Sequence, residues 1–287
     1  MGQIKENRGD KWSHYEMFQL CYADFGPHIR GFQMTLDPLV PDALATGVRP
    51  VKRFLAFDIE TAKVAPREVD DLLALRPLGI ACAAAVSRDR KEPLVWHGKD
   101  ASGHPSDRMT RSEAAQLVAD LAGLVGEGYT LLTWNGLGFD LDVLAEESDQ
   151  RDACAKLAVE HVDMLFHFVC DRGHRASLGK AAEGMGLRGK SAGISGAAAP
   201  AMWAEGRRAE VLGYCVQDVR TTLELAELCE RQGELRWITG NGTVRTMPLR
   251  GGWLTVREAQ ALPLPDTSWM SDPPSRERFL GWVNQPH

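Results

Sequence analysis

The stretch FLAFDIET, Phe54 to Thr61, decides how the rest of the chain is read. Phe54, Leu55, Ala56, Phe57 and Ile59 make a buried strand, yet two carboxylates, Asp58 and Glu60, are written into its end. Successive side chains of a strand alternate faces. Asp58 and Glu60 therefore share a side with Phe54 and Ala56, and Leu55, Phe57 and Ile59 pack the other. Two like charges so placed raise each other's pKa unless a positive charge stands between them. The octet alone leaves two readings: solvated acids at a strand end, or half of a metal site.

Outward from this strand the pattern is that of an α/β domain. After a charged connection, LGIACAAAVS (78–87) and EPLVWHG (92–98) continue it as a meander. TRSEAAQLVADLAGLVGEG opens on a capping box, Thr110 with Glu113, and carries Leu117, Leu121, Leu124 and Val125 on one helical face. TLLTWNG (130–136) reads as the next strand and FDLDVLAEES as the helix after it. HVDMLFHF (161–168) is open between a fifth strand and the start of a helix. Residues 177–186 and 209–232 read as helices. RWITGNGTVRTMPL forms a hairpin about its Asn-Gly turn, and a proline-rich end is expected to wrap the surface. Residues 1–50 hold Pro27, Pro38, Pro41 and Pro50 without a sustained period, an irregular arm with one short helix near 12–22. Three segments follow: an arm over 1–50, a domain over 51–233, and an extension over 234–287.

The chain has 287 residues and 44% hydrophobic content, enough for a sizeable core. A formal net charge of −6 argues against an unselective basic wrap around nucleic acid but leaves room for a local groove. The six cysteines form no CxxC pair, which suits reduced thiols in a cytoplasmic protein. His167, Cys170 and His174 are close in sequence, but core packing explains them better than zinc. No run reaches about 18 apolar residues, and the amino-terminal MGQIKENRGDKW has no apolar signal core.

Two further acids bear on Asp58 and Glu60. Asp140, in TWNGLGFDLDVL, follows a strand and a glycine-bearing turn; its ordinary role is a first-turn acid favoured by the helix dipole. In YCVQDVRTTLELAELC, Tyr214 and Asp218 are one turn apart on a helix, beside an apolar stripe of Leu212, Cys215, Val219, Leu223 and Ala226. An unpaired carboxylate near that buried side is costly, and a cation relieves the cost.

Taken in order, Asp58-x-Glu60, Asn135-Gly-x-x-Phe-Asp140 and Tyr214-x-x-x-Asp218 resemble the three motifs of the DEDD 3′–5′ exonucleases. The tyrosine points to the tyrosine subgroup; the histidine subgroup would place His where Gly213 stands. SLGKAAEGMGLRGK and YCVQDVRTTLEL look most like the branch related to the exonuclease of family B DNA polymerases. The resemblance covers about residues 51–233. It implies an RNase H-like fold, a mixed five-stranded sheet flanked by helices, without a polymerase domain following.

The resemblance further implies a two-metal hydrolysis. Mg²⁺ or Mn²⁺ takes oxygen ligands, and a pair of such ions about 4 Å apart activates a water and stabilises the leaving oxygen. Asp58 would bridge both ions, Glu60 and Asp218 would hold the water-activating one, and Asp140 the second. Tyr214 would orient the attacking water with Glu60. Thr61 would lie near the terminal 3′-hydroxyl, with Asn135 and Phe139 beside the last nucleotides; Phe139 fits a core position equally well. Between Arg172 and Lys190 stand five Lys/Arg against one acid, Glu183. That strip, with Lys180 and Lys190, is either a solvated face or a phosphate-tracking surface.

The expected activity is removal of nucleoside monophosphates from single-stranded 3′ ends, DNA favoured over RNA. The alternative is a catalytically silent nucleic-acid-binding or protein-interaction module on the same fold. A dinucleotide enzyme fits less well: GLGFD and GNGT are not GxGxxG after a first strand.

Overall fold

The protein is described by a computed structural model for residues 52–66, 69, 71–187 and 196–284. The expected amino-terminal arm and Lys190 lie outside the described residues.

Residues 54–61 do form a strand, β1 (Arg53–Thr61). It lies at the centre of a five-stranded sheet with β2 (Ile80–Val86), β3 (Leu94–His97), β4 (Tyr129–Thr133) and β5 (Val162–Asp163), in the order β3-β2-β1-β4-β5. β2 pairs antiparallel with both β1 and β3, while β4 pairs parallel with β1 and β5, so the sheet is mixed.

Alternation along β1 sorts the core into two layers. Leu55, Phe57 and Ile59 join one cluster with Leu117 and Leu121 of α1 (Arg111–Gly126), Leu141 and Leu144 of α2 (Asp140–Ser148), and Leu157 of α3 (Arg151–Glu160). Phe54 and Ala56 join the other, with Val211, Cys215, Val219 and Ala226 of the long helix α7 (Arg208–Gln232). Asp58 and Glu60 thus face α7. The expected capping box is present at the start of α1, where Thr110 and Glu113 satisfy each other's backbone N–H groups.

The segment 161–168 is both of the things its sequence allowed. Val162 and Asp163 pair with β4, then Asp163 caps α4 (Met164–Arg172) by accepting the Phe166 N–H at 3.0 Å. Helix α5 (Leu178–Gly184) lies within the expected 177–186. Sequence periodicity did not resolve α3 or α6 (Ala199–Ala204); the second is a short turn set by Pro200 near its start. The hairpin is formed by β6 (Glu234–Ile238) and β7 (Val244–Pro248).

The carboxyl-terminal extension departs from expectation. Residues 261–275 do run over the surface, and Leu264 and Trp269 are exposed. The flanking segments enter the core instead: Trp253 and α8 (Val256–Gln260) on one side, Phe279, Leu280 and Trp282 around α9 (Arg276–Leu280) on the other. Phe279 meets Phe166 edge to face, with ring centroids 5.5 Å apart. Proline content announced an irregular path but said nothing of the aromatic side chains that anchor it. Among the described residues, no helix is long and apolar enough to cross a membrane.

Candidate active site

The site lies where β4 leaves β1. Parallel pairing joins Arg53–Ala56 to Tyr129–Leu132 and stops there, so the rest of β1 loses its neighbour on that side. An unpaired buried amide is costly. The carboxylate of Asp140 fills the vacancy, with Oδ1 accepting the Ile59 N–H at 3.1 Å. Asp140 is therefore more than a first-turn acid: it is fixed against the strand that carries Asp58 and Glu60. Asp142, one residue beyond its neighbour, has a structural role instead, in an ion pair with Arg76.

Local chemistry explains why the chain turns there. Asn135 takes a left-handed φ of 78°, a conformation that asparagine tolerates. Gly136 is required, since a Cβ would stand 2.5 Å from Thr133 Oγ1. The Gly136 N–H donates to Thr133 Oγ1, 3.0 Å away, and Thr133 Oγ1 meets His161 Nε2 at 3.1 Å. His161 Nδ1 lies 2.7 Å from the Ala158 carbonyl, which can only accept, so Nδ1 carries the proton and Nε2 accepts. Burial keeps this imidazole neutral by lowering its pKa. From below, Asp163 accepts the N–H groups of Asn135 and Leu137 at 2.9 and 2.8 Å. Asp163 and His161 are the positioning residues that sequence reading missed. Their signal was present only as polar residues in an apolar run.

Across the sheet face, Asp58 stands opposite Ala84 and Glu60 opposite Cys82. Small residues on β2 leave room for α7 to approach. Cys215 Sγ lies 3.7 Å from the Asp58 carbonyl oxygen, and ligand atoms of Asp58, Glu60 and Cys215 fall within 4.8 Å of one another. Cys215 was expected only as part of an apolar stripe. Its thiol pKa is pushed well up, first by a hydrogen bond with Cys82 and then by burial, so it stays protonated. A protonated thiol is a poor ligand for a hard cation. The oxygen donors are the carboxylates.

Asp140 joins this group through a hydrogen bond, and the Tyr214–Asp218 pair of α7 comes close enough to sense its charges. Asp140 bonds the Asp58 side chain, and Tyr214 bonds the Asp218 side chain while sensing the charges of Glu60 and Asp58. Asp58 is half-buried, whereas Glu60, Asp140, Tyr214 and Asp218 are buried. Burial, more than any neighbour, raises the Asp140 carboxyl to about 7. Burial also pushes the Tyr214 phenol well above its usual value, followed by the Asp218 charge. Tyr214 is a neutral donor at any ordinary pH. Clustered carboxylate oxygens, one of them protonated near neutrality, suit a hard divalent cation that would replace the shared proton.

Thr61 is buried at the end of β1, just past a register shift between Glu60 and Thr61. Asn135 is half-buried, and its Oδ1 lacks a hydrogen-bond partner among the described residues. Phe139 is half-buried and packs on the core layer of α1 and α2, so it contributes to packing and still reaches the surface. Lys180 is exposed in the first turn of α5 and pairs with Glu183 in the same helix at 3.0 Å. The extension buttresses the turn: Trp282 Nε1 donates to the Leu137 carbonyl at 2.7 Å, and the Phe279 ring would lie 3.0 Å from a Cβ at Gly138.

No curated protein matches the chain. Residues 97–229, which include Asp140, Tyr214 and Asp218 but not β1, match a family model described as RNase_H superfamily, and the mixed five-stranded sheet flanked by helices is consistent with an RNase H-like fold.

Proposed function

We propose that this protein is a metal-dependent 3′–5′ exonuclease that removes nucleoside monophosphates from single-stranded ends. One observation carries the reading. Acids from separate elements approach one another here: Asp58 and Glu60 lie close together on β1, Asp140 of α2 bonds Asp58 and the Ile59 N–H, and Tyr214 of α7, bonded to Asp218, senses the charges of Glu60 and Asp58. A strictly structural role gives no physical reason to gather four carboxylates there.

When bound, Mg²⁺ or Mn²⁺ would supply Lewis acidity and lower the pKa of a coordinated water. Asp58, Glu60, Asp140 and Asp218 would hold these ions. The chain's own part is positional. Tyr214 stays neutral, and its hydroxyl, bonded to Asp218 and close to the charge of Glu60, would position the attacking water through its oxygen. Asn135, half-buried at the turn, would stand beside the terminal nucleotide, and the exposed edge of Phe139 would support its base. Thr61, at the strand end beside Glu60, contacts the terminal 3′-hydroxyl.

The test is a time course on 5′-labelled single-stranded DNA and RNA with Mg²⁺ or Mn²⁺. A ladder shrinking from the 3′ end is expected, with loss of all cleavage in chelator and in Asp58→Ala. Immediate release of a labelled mononucleotide, cutting of closed circles, or full activity of Asp58→Ala would sink the proposal.

A further inference from the structure

In the basic strip that begins at Arg172, two of the described residues, Arg172 and Lys180, are already paired. Arg172 donates to the Thr246 carbonyl and pairs with Asp171. Lys180 pairs with Glu183. From the extension, Arg276 spends its guanidinium on the carbonyls of Gln260, Leu262, Pro263 and Cys170, a clamp that ties α9 to α4. Arg175 and Arg278 differ. Neither side chain makes an ion pair or hydrogen bond to a described residue.

These two are neighbours in space. The Arg175 guanidinium lies over the Phe279 ring at 4.8 Å from its centroid, and Arg278 precedes Phe279 in the chain. Burial first and the Arg278 charge second lower the Arg175 pKa, and the buried Asp163 carboxylate opposes them. Asp163 is already occupied by the N–H groups of Asn135, Leu137 and Phe166. Both arginines are exposed at the Phe279 ring, one over its face and the other next to it in the chain, and an anion held there would offset their like charges.

Their location identifies the anion. The same Phe279 ring abuts Gly138, two residues before Asp140 and so at most about 7 Å from it along the backbone. An anion held there sits beside the turn that presents Asn135 and Phe139. We propose that Arg175 and Arg278 clamp a backbone phosphate of a single-stranded nucleic acid as the strand enters past the Asn135–Asp140 turn. The extension thereby supplies half of a subsite that the sheet domain lacks by itself. The identity of the strand as substrate rests on the exonuclease reading; the phosphate chemistry does not.

The experiment measures anisotropy of a labelled short oligothymidylate in chelator, across a salt series, with cleavage in Mn²⁺ read separately. The double variant Arg175→Ala/Arg278→Ala should bind about tenfold more weakly at low salt, with a salt slope smaller by about 0.7 for one lost phosphate contact. Arg175→Lys/Arg278→Lys keeps both charges and should keep most of the slope. Arg111→Ala, a surface control, should match wild type. The clamp is overturned by wild-type affinity and slope in the double alanine variant, or by a wild type that does not bind the strand. It is also overturned if inorganic phosphate displaces the strand at equal phosphate concentration, which marks a free-phosphate site. Arginine-dependent binding without cleavage by wild type would reject the nuclease and keep the clamp. Cleavage with arginine-independent binding would do the reverse.

Discussion

Asp140 Oδ1 accepts the Ile59 N–H at 3.1 Å, three residues beyond Ala56, where the pairing of β1 with β4 ends. The departure of one strand thus creates both a backbone vacancy and the means to fix a carboxylate beside Asp58. The same bond explains why the first turn of α2 approaches the sheet so closely, and it bears directly on stability.

With the Asp140 pKa raised to about 7 by burial, the folded metal-free protein holds a proton that the unfolded chain releases near 4. Between those values the folded state binds more protons, so stability falls as pH rises and levels off above about 7. Asp140→Asn keeps an oxygen for the Ile59 N–H and removes this loss. In chelator its melting temperature should rise relative to wild type as pH is taken from 4 to 8. Added Mn²⁺ should favour wild type more than the variant. A pH-independent difference between the two would show that Asp140 is not protonated in the fold.

Tyr214→Phe separates water positioning from packing. The ring stays in place, and only the hydroxyl bonded to Asp218 is lost. We expect kcat to fall on the order of 10–1,000-fold with little change in KM. The melting temperature should shift by no more than one hydrogen bond allows, about 1 kcal/mol. Wild-type kcat at saturating metal would remove Tyr214 from the mechanism.

The extension should prove inseparable from the domain. Phe279→Ala removes a buried ring that packs on Phe166 and beside Gly138, and the loss should cost about 3–5 kcal/mol. Denaturant unfolding measures this. A cost below about 1 kcal/mol would mean that α9 is only loosely docked.

His167 supplies an acid-side test of the same docking. Its Nδ1 accepts the Leu254 N–H at 3.3 Å, and burial, then Lys52, lower its pKa to about 4. Between about 6.5 and 4 the unfolded chain takes up a proton that the folded protein refuses, so stability is lost as pH falls through that window. His167→Gln should flatten the acid limb of the melting curve between those values. An unchanged slope would place the acid sensitivity elsewhere.

Sequence alone determined which faces β1 presents, because a period of two assigns Asp58 and Glu60 to the side of Phe54 and Ala56 whatever the strand packs against. It likewise determined the start of α1 through Thr110 and Glu113, and the one-turn spacing of Tyr214 and Asp218. Each of these depends on neighbours a few residues apart. Tertiary structure decided what no local period encodes. The end of β4 at Thr133 gave Asp140 its partner, and Asp163 and His161 became supports for the Asn135 turn only because β5 lies beside β4. Cys215 met Cys82 behind the acids, and Phe279 carried Arg278 to Arg175. In all of these the energy comes from satisfying a buried group or filling a space made by a distant segment, and proximity of that kind exists only once the chain has folded.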